Sequence, residues 1–121
     1  TMATMSHSIP EFVKNAGGSI VSKNVLEQRA PLRWAFREEA VDAVDNGWRF
    51  LSAIDDEDYI NDPANLAVAS FNTVVYLEPA ILPILHMPVG TDLTITRDSA
   101  GHIVLIDNTT GAPADVPDVS L

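Results

Sequence analysis

The segment Leu32-Arg33-Trp34-Ala35-Phe36-Arg37 alternates large apolar side chains with polar or small ones, and Trp48-Arg49-Phe50 repeats the pattern shortly afterwards. Side chains two apart share one face of an extended strand, so the alternation predicts two paired strands, each with an aromatic face. On that reading Leu32, Trp34 and Phe36 point to one side and meet Trp48 and Phe50 there, while Arg33, Arg37 and Arg49 take the other side. Core packing is then the expected role of both tryptophans, and exposed, individually weak ion pairs that of the arginines. The competing reading makes Trp34 and Trp48 a binding hot spot, because aromatics beside arginine anchor many interfaces. An open cavity lined by the indoles, with acids converging inside it, would overturn the core reading.

The rest of the chain supplies further elements. Gly17-Gly18 opens a short strand over Ser19–Ser22, closed by Lys23-Asn24. Glu38–Val44 has the acidic start and apolar spacing of a short helix, followed by Asn46-Gly47 as a helix cap or a tight turn. Asp55–Asp62 predicts an Asp-capped helix of one or two turns that Pro63 ends. Leu66–Phe71 reads as a mostly buried strand, and Asn72-Thr73 can cap the next segment. In Val74–Leu85 the β-branched residues favour strand, but Glu78-Pro79 resembles a helix start, so two short helical segments are expected. Thr91–Thr96 and His102–Ile106 form a hairpin around the loop Asp98–Gly101. A chain of 121 residues supports one real core. The expected fold is therefore a single α+β domain: a mainly antiparallel sheet of about five or six strands with short helices packed on one side. The domain spans 16–107, between an N-terminal arm at 1–15 and a C-terminal tail at 108–121 whose composition predicts flexibility.

Charge and composition narrow the function classes. Seventeen acidic against seven basic side chains leave a net charge of -10. A phosphate backbone is bound by clustered Lys and Arg, so nucleic acid is not an expected partner, whereas a basic protein is. Solubility alone is the plainer use of the same charge. The absence of cysteine excludes disulfides and thiolate chemistry and fits a reducing cytoplasm. The longest apolar stretch, Val74–Met87, is interrupted by Glu78, Pro79 and Pro83, so no membrane segment is expected. The N-terminus lacks a basic region followed by an apolar core, and no secretion signal is expected from it.

The familiar catalytic and metal patterns do not fit. Asp42, Asp45 and Gly47 have the wrong spacing for a calcium loop, and consecutive acids from Asp55 to Asp58 point in different directions on a helix. His7, His86 and His102 show no ligand spacing. No serine sits in a nucleophile elbow, and Gly17-Gly18-Ser19 lacks the lysine of a phosphate loop. Paired carboxylates such as Glu38-Glu39 and Asp55-Asp56 would need an enclosed site to separate their pKa values before they could work as acid and base. No catalytic residue, cofactor or metal ligand is assigned.

Several of these segments recur together in a known family: Gly18-Ser19-Ile20-Val21-Ser22, Leu32 to Glu39, Asp45 to Phe50, Asn61-Asp62-Pro63 with Asn65, and Pro88-Val89-Gly90-Thr91. In this combination the chain, over about residues 17 to 97, resembles the bacterial domain of unknown function 2185, also described as the immunity protein 33-like domain of polymorphic toxin systems. The resemblance implies a small α+β protein that binds and neutralises a cognate protein toxin without catalysis. It carries over no contact residues. From their density, Glu38, Glu39, Asp42, Asp45, Asp55, Asp56, Glu57 and Asp58 are the candidate contacts for a basic toxin. A weak homodimer is compatible with this reading. The alternative is a small-molecule-binding or regulatory module with a pocket between the sheet and Val74–Leu85.

Overall fold

The computed structural model describes residues 10–115. Seven strands form one sheet: β1 (Gly18–Ser22), β2 (Leu32–Arg37), β3 (Asp45–Ser52), β4 (Leu66–Ser70), β5 (Asp92–Arg97), β6 (Ile103–Asp107) and β7 (Ala112–Pro113). Their order is β4-β1-β3-β2-β5-β6-β7. β1 and β3 run parallel, and every other pair is antiparallel. The α+β class and the hairpin hold. The strand count is seven rather than five or six, because Ala112-Pro113, at the start of the tail expected to be flexible, adds a strand to β6.

Short helices fill the connections. Helix α1 (Lys23–Leu26) follows β1 directly, where a simple strand end was expected, because the Ser22 side chain accepts from the Asn24 N–H and caps it. Helix α2 (Glu57–Ile60) has the anticipated Asp cap, with Asp56 accepting from the Tyr59 N–H at 2.8 Å. Val74–Leu85 is helical, as its Glu78-Pro79 pair suggested. Helix α3 (Phe71–Leu77) leads into a 3-10 turn over Pro79–Ile84, with Glu78 capping the turn. The cap of α3 is Ser70 rather than Asn72-Thr73. Asn72 instead bonds both backbone groups of Val13 and ties down part of the N-terminal arm.

The alternation in β2 does not survive folding. Leu32 pairs with Ser52, but Trp34 pairs with Leu51, so β2 uses two residues where β3 uses one. This bulge resets the period-two pattern and turns every later side chain over. Leu32 and Ala35 enter the core, while Trp34 is 38% exposed and Phe36 shares its face. Across the pair Trp48 and Phe50 are fully buried, their rings stacked with centroids 6.0 Å apart. They pack with Val21, Phe71, Val74, Ile81, Ile84 and Leu93 in one core between the sheet and the layer formed by α1, α3 and the 3-10 turn. Buried Trp48 also donates from Nε1 to the Leu85 carbonyl at 3.0 Å, so its polar edge is satisfied.

Two other expectations change. Glu38–Val44 is an irregular loop, not a helix, and Val41 and Val44 are exposed instead of lining an apolar stripe. β4 lies at the sheet edge and is only partly covered, with Val68 78% exposed. The loop is pinned at Gly47, whose φ of +85° suits glycine and whose added Cβ would lie 2.2 Å from the Glu38 carbonyl oxygen.

These contrasts predict stabilities measurable by urea denaturation. Trp48→Ala is expected to cost about 3–5 kcal/mol as a core truncation, and Trp34→Ala roughly 1–2 kcal/mol because its ring is already part-solvated. Gly101, at φ +86° with nothing near its missing Cβ, serves as the control for Gly47. Gly101→Ala should cost only the left-handed backbone penalty of about 1–2 kcal/mol, and Gly47→Ala clearly more.

Candidate functional site

One face of the sheet packs on the helices, and the other is largely uncovered. Residues paired across neighbouring strands share a face, so the register reads out the uncovered side directly. One row runs Val68, Ile20, Arg49, Phe36, Asp92, and the next contains Leu51, Trp34, Thr94 and Ile106. At the end of β3 the chain turns through Asp55 into α2, which stands at the margin of this outer face rather than with the other helices. The result is a shallow groove of about 370 Å³, floored by Trp34, Phe36, Leu51 and Ile60 and edged by Asp55, Asp56, Glu57 and Asp92. Trp34 thus lines an open groove beside carboxylates, while Trp48 does not.

The eight candidate acids fall at the two ends of β3. Those in the first group, before and at its start, are largely engaged within the fold. Arg49 is 5% exposed, contrary to the expectation of a solvated arginine. It donates to both Asp45 carboxylate oxygens, at 2.8 and 3.0 Å, and through Nε to Glu38 at 2.8 Å. Residues four apart in a straight strand would be too distant for this. The pairs Gly18 with Asp45 and Ile20 with Arg49 show that β3 bulges at Asn46-Gly47, which brings the two ends of the ion pair together. Asp45 also accepts from the N–H groups of Val41 and Gly47. The hydrogen bond from Arg49 is the main reason its carboxyl is held well below the usual range, against burial, which acts the other way. Asp42 accepts from the N–H groups of Val44 and Asp45 and shapes the same loop, where Glu39 is exposed.

The second group is more open. Asp55 is the exception, accepting from the Ser52 N–H at 2.6 Å and from Asn24 Nδ2 at 2.7 Å. Burial alone would raise its carboxyl, but the donors of Ser52, Ser22 and Asn24 together outweigh it and hold the group below its ordinary value. Asp56, Glu57 and Asp58 are exposed on the first turn of α2.

Arg37 was also expected on a solvated face. It instead reaches over the Trp48 ring, 6.0 Å from its centroid, and donates to the Asn46 and Met87 carbonyls. The space beside Leu77 and Glu78, where a ligand pocket was considered, is a solvent-open cleft of about 200 Å³. Among the described residues no three His, Asp or Glu side chains come together to hold a metal ion, and no helix is long and apolar enough to cross a membrane. Sequence reasoning found the acids but missed the outward Trp34 and Phe36, since nothing in the alternation marks a bulge.

Asp45 makes stability depend on pH. Its carboxyl is depressed in the folded state, so the unfolded chain binds more protons between the folded and unfolded pKa values, and stability falls as pH drops from about 4 downward. Asp45→Asn is expected to cost roughly 3 kcal/mol at pH 7, by leaving a buried guanidinium short of its partner, and to flatten the acid slope. Glu38→Gln, at a partner side chain 56% exposed, should cost under about 1 kcal/mol. Urea midpoints at pH 7 and pH 3 read both effects.

The Immunity protein Imm33 domain family matches residues 19–106, from β1 through β6. The match thus includes the second strand of the hairpin, beyond the segments that carry the resemblance in the sequence. Neither the curated proteins nor the solved structures contain a match to this chain. The family match spans most of the chain and includes every strand that frames the outer groove, so the protein belongs to the Imm33 family of immunity protein domains.

Proposed function

We propose that this protein neutralises a cognate toxin by binding it, without catalysing a reaction, in the cytoplasm of the cell that carries both. Family membership is the observation that carries this reading. The structure supports it in a specific way: the outer face offers apolar floor and exposed carboxylates together, the combination suited to a protein partner. Net charge of -10 favours a basic toxin, which the acidic field would draw in before contacts form. Of the eight candidate acids, Glu39, Asp56, Glu57 and Asp58 are exposed and accessible to such a partner, while Asp45 and Asp55 already serve the fold.

Co-expression with the toxin encoded beside this protein tests the reading. Growth rescue with a stoichiometric complex is expected; absence of both would end it. Reversing the charges of Glu39, Glu57 and Asp58 to lysine should slow association about tenfold at low salt, with the difference shrinking toward 1 M salt. Stopped-flow association rates measure this, and unchanged rates would reject electrostatic steering.

A further inference from the structure

We propose that the groove over Trp34 receives an arginine-bearing, partly apolar segment of a basic protein, with the guanidinium lying against the indole and pairing with Glu57 and Asp56. The inference deepens the immunity reading by naming the chemistry of the partner.

Three features of the face converge on that ligand. First, Trp34 is 38% exposed in the middle of the sheet, flanked by Leu51 and Thr94, with Phe36 on the same strand and Ile60 opposite. A solvated indole in an apolar trough, with no helix laid over it, presents a flat face large enough for a planar cation or an aliphatic stem. Secondly, the edges of the trough are anionic, with Asp56 and Glu57 on one side and Asp92 on the other. Asp56 uses Oδ1 to cap α2, and Asp92 uses Oδ1 for Asn108, so each keeps a second carboxylate oxygen for a ligand. Thirdly, the floor and the edges select between occupants. An anion, a nucleic acid or an anionic membrane surface would meet the carboxylates of Asp55, Asp56, Glu57 and Asp92 at once. A second copy of this chain would bring the same acidic edge and a net charge of -10 to the contact. A basic segment is attracted by the edges and buries the floor. Arginine fits better than lysine because its planar fork stacks on an aromatic ring and bonds a carboxylate through two N–H groups simultaneously.

The two tryptophans make the test direct, since Trp48 is fully buried and Trp34 is the quenchable indole. With each quencher normalised to its effect on free N-acetyltryptophanamide, caesium is expected to quench the accessible fluorescence several-fold more than iodide, and Asp56→Asn with Glu57→Gln should bring the two normalised values closer together. Equal normalised quenching of the unaltered protein, or a difference that the paired variant leaves unchanged, would overturn the proposal. Binding is then measured with three acetylated, amidated peptides of one length, alternating leucine with arginine, lysine or glutamine. The arginine peptide should bind best, by about fivefold or more over lysine, and glutamine least. Trp34→Ala and the Asp56→Asn, Glu57→Gln pair should each weaken the arginine peptide about tenfold, with far-ultraviolet circular dichroism confirming that both variants fold. Equal binding of all three peptides, arginine binding indifferent to both variants, or self-association that protects Trp34 would each sink the idea. Rescue of the toxin without groove-dependent peptide binding removes this inference alone. Peptide binding without rescue removes the immunity reading and leaves the groove.

Discussion

The pairing of Trp34 with Leu51, out of step by one residue with the pairing of Leu32 with Ser52, sets the two faces of the sheet. A strand places alternate residues on opposite sides, so one additional residue inverts all the later ones. Without the bulge the Trp34 and Phe36 rings would compete with Trp48, Phe50 and Phe71 for the same interior. With it, Ala35 takes the place opposite Phe50, and its small side chain leaves room for the rings of the neighbouring strand and α3. The core is thereby filled by aromatics from β3 and α3, and those of β2 are released to the outer face.

A second bulge, in β3 at Asn46-Gly47, serves the other end of the sheet. It draws Asp45 back to Arg49 and closes a buried ion pair on the face opposite the hydrophobic core. Asn46 adds to the closure, accepting from Ser19 Oγ and the Trp48 N–H and donating to the Ala16 carbonyl. A charge this poorly hydrated is tolerated because both guanidinium edges are occupied. The exposed β2–β3 loop is thus held at its base by polar contacts, since Val41 and Val44 contribute no burial.

The proposed role, occupying another protein, needs a rigid face rather than an enclosed reaction centre, and this fold supplies such a face. Helices α1 and α3 and the 3-10 turn cover one side of the sheet, leaving strand side chains in fixed relative positions on the other. Asp45 and Asp55, which brace the fold, are partly buried, and the other acids on α2 and the β2–β3 loop stay in solvent. Both kinds look alike in the sequence.

What the residues determine locally was legible: an Asp cap at the start of the Asp55–Asp62 helix, the Asp98–Gly101 hairpin loop, the helical break at Glu78-Pro79, and the pairing of the Trp34 strand with the Trp48 strand. Each depends on contacts within a few residues or on simple alternation. The resemblance carried by the quoted segments also identified the family. Tertiary structure alone decided which indole is buried, that Arg49 is paired and enclosed, and that Glu38–Val44 does not coil into a helix. Those outcomes depend on register between strands distant in sequence, where a one-residue slip exchanges inside for outside without altering the local pattern. The outer groove is a product of that register, and so it was the part the linear chain could not display.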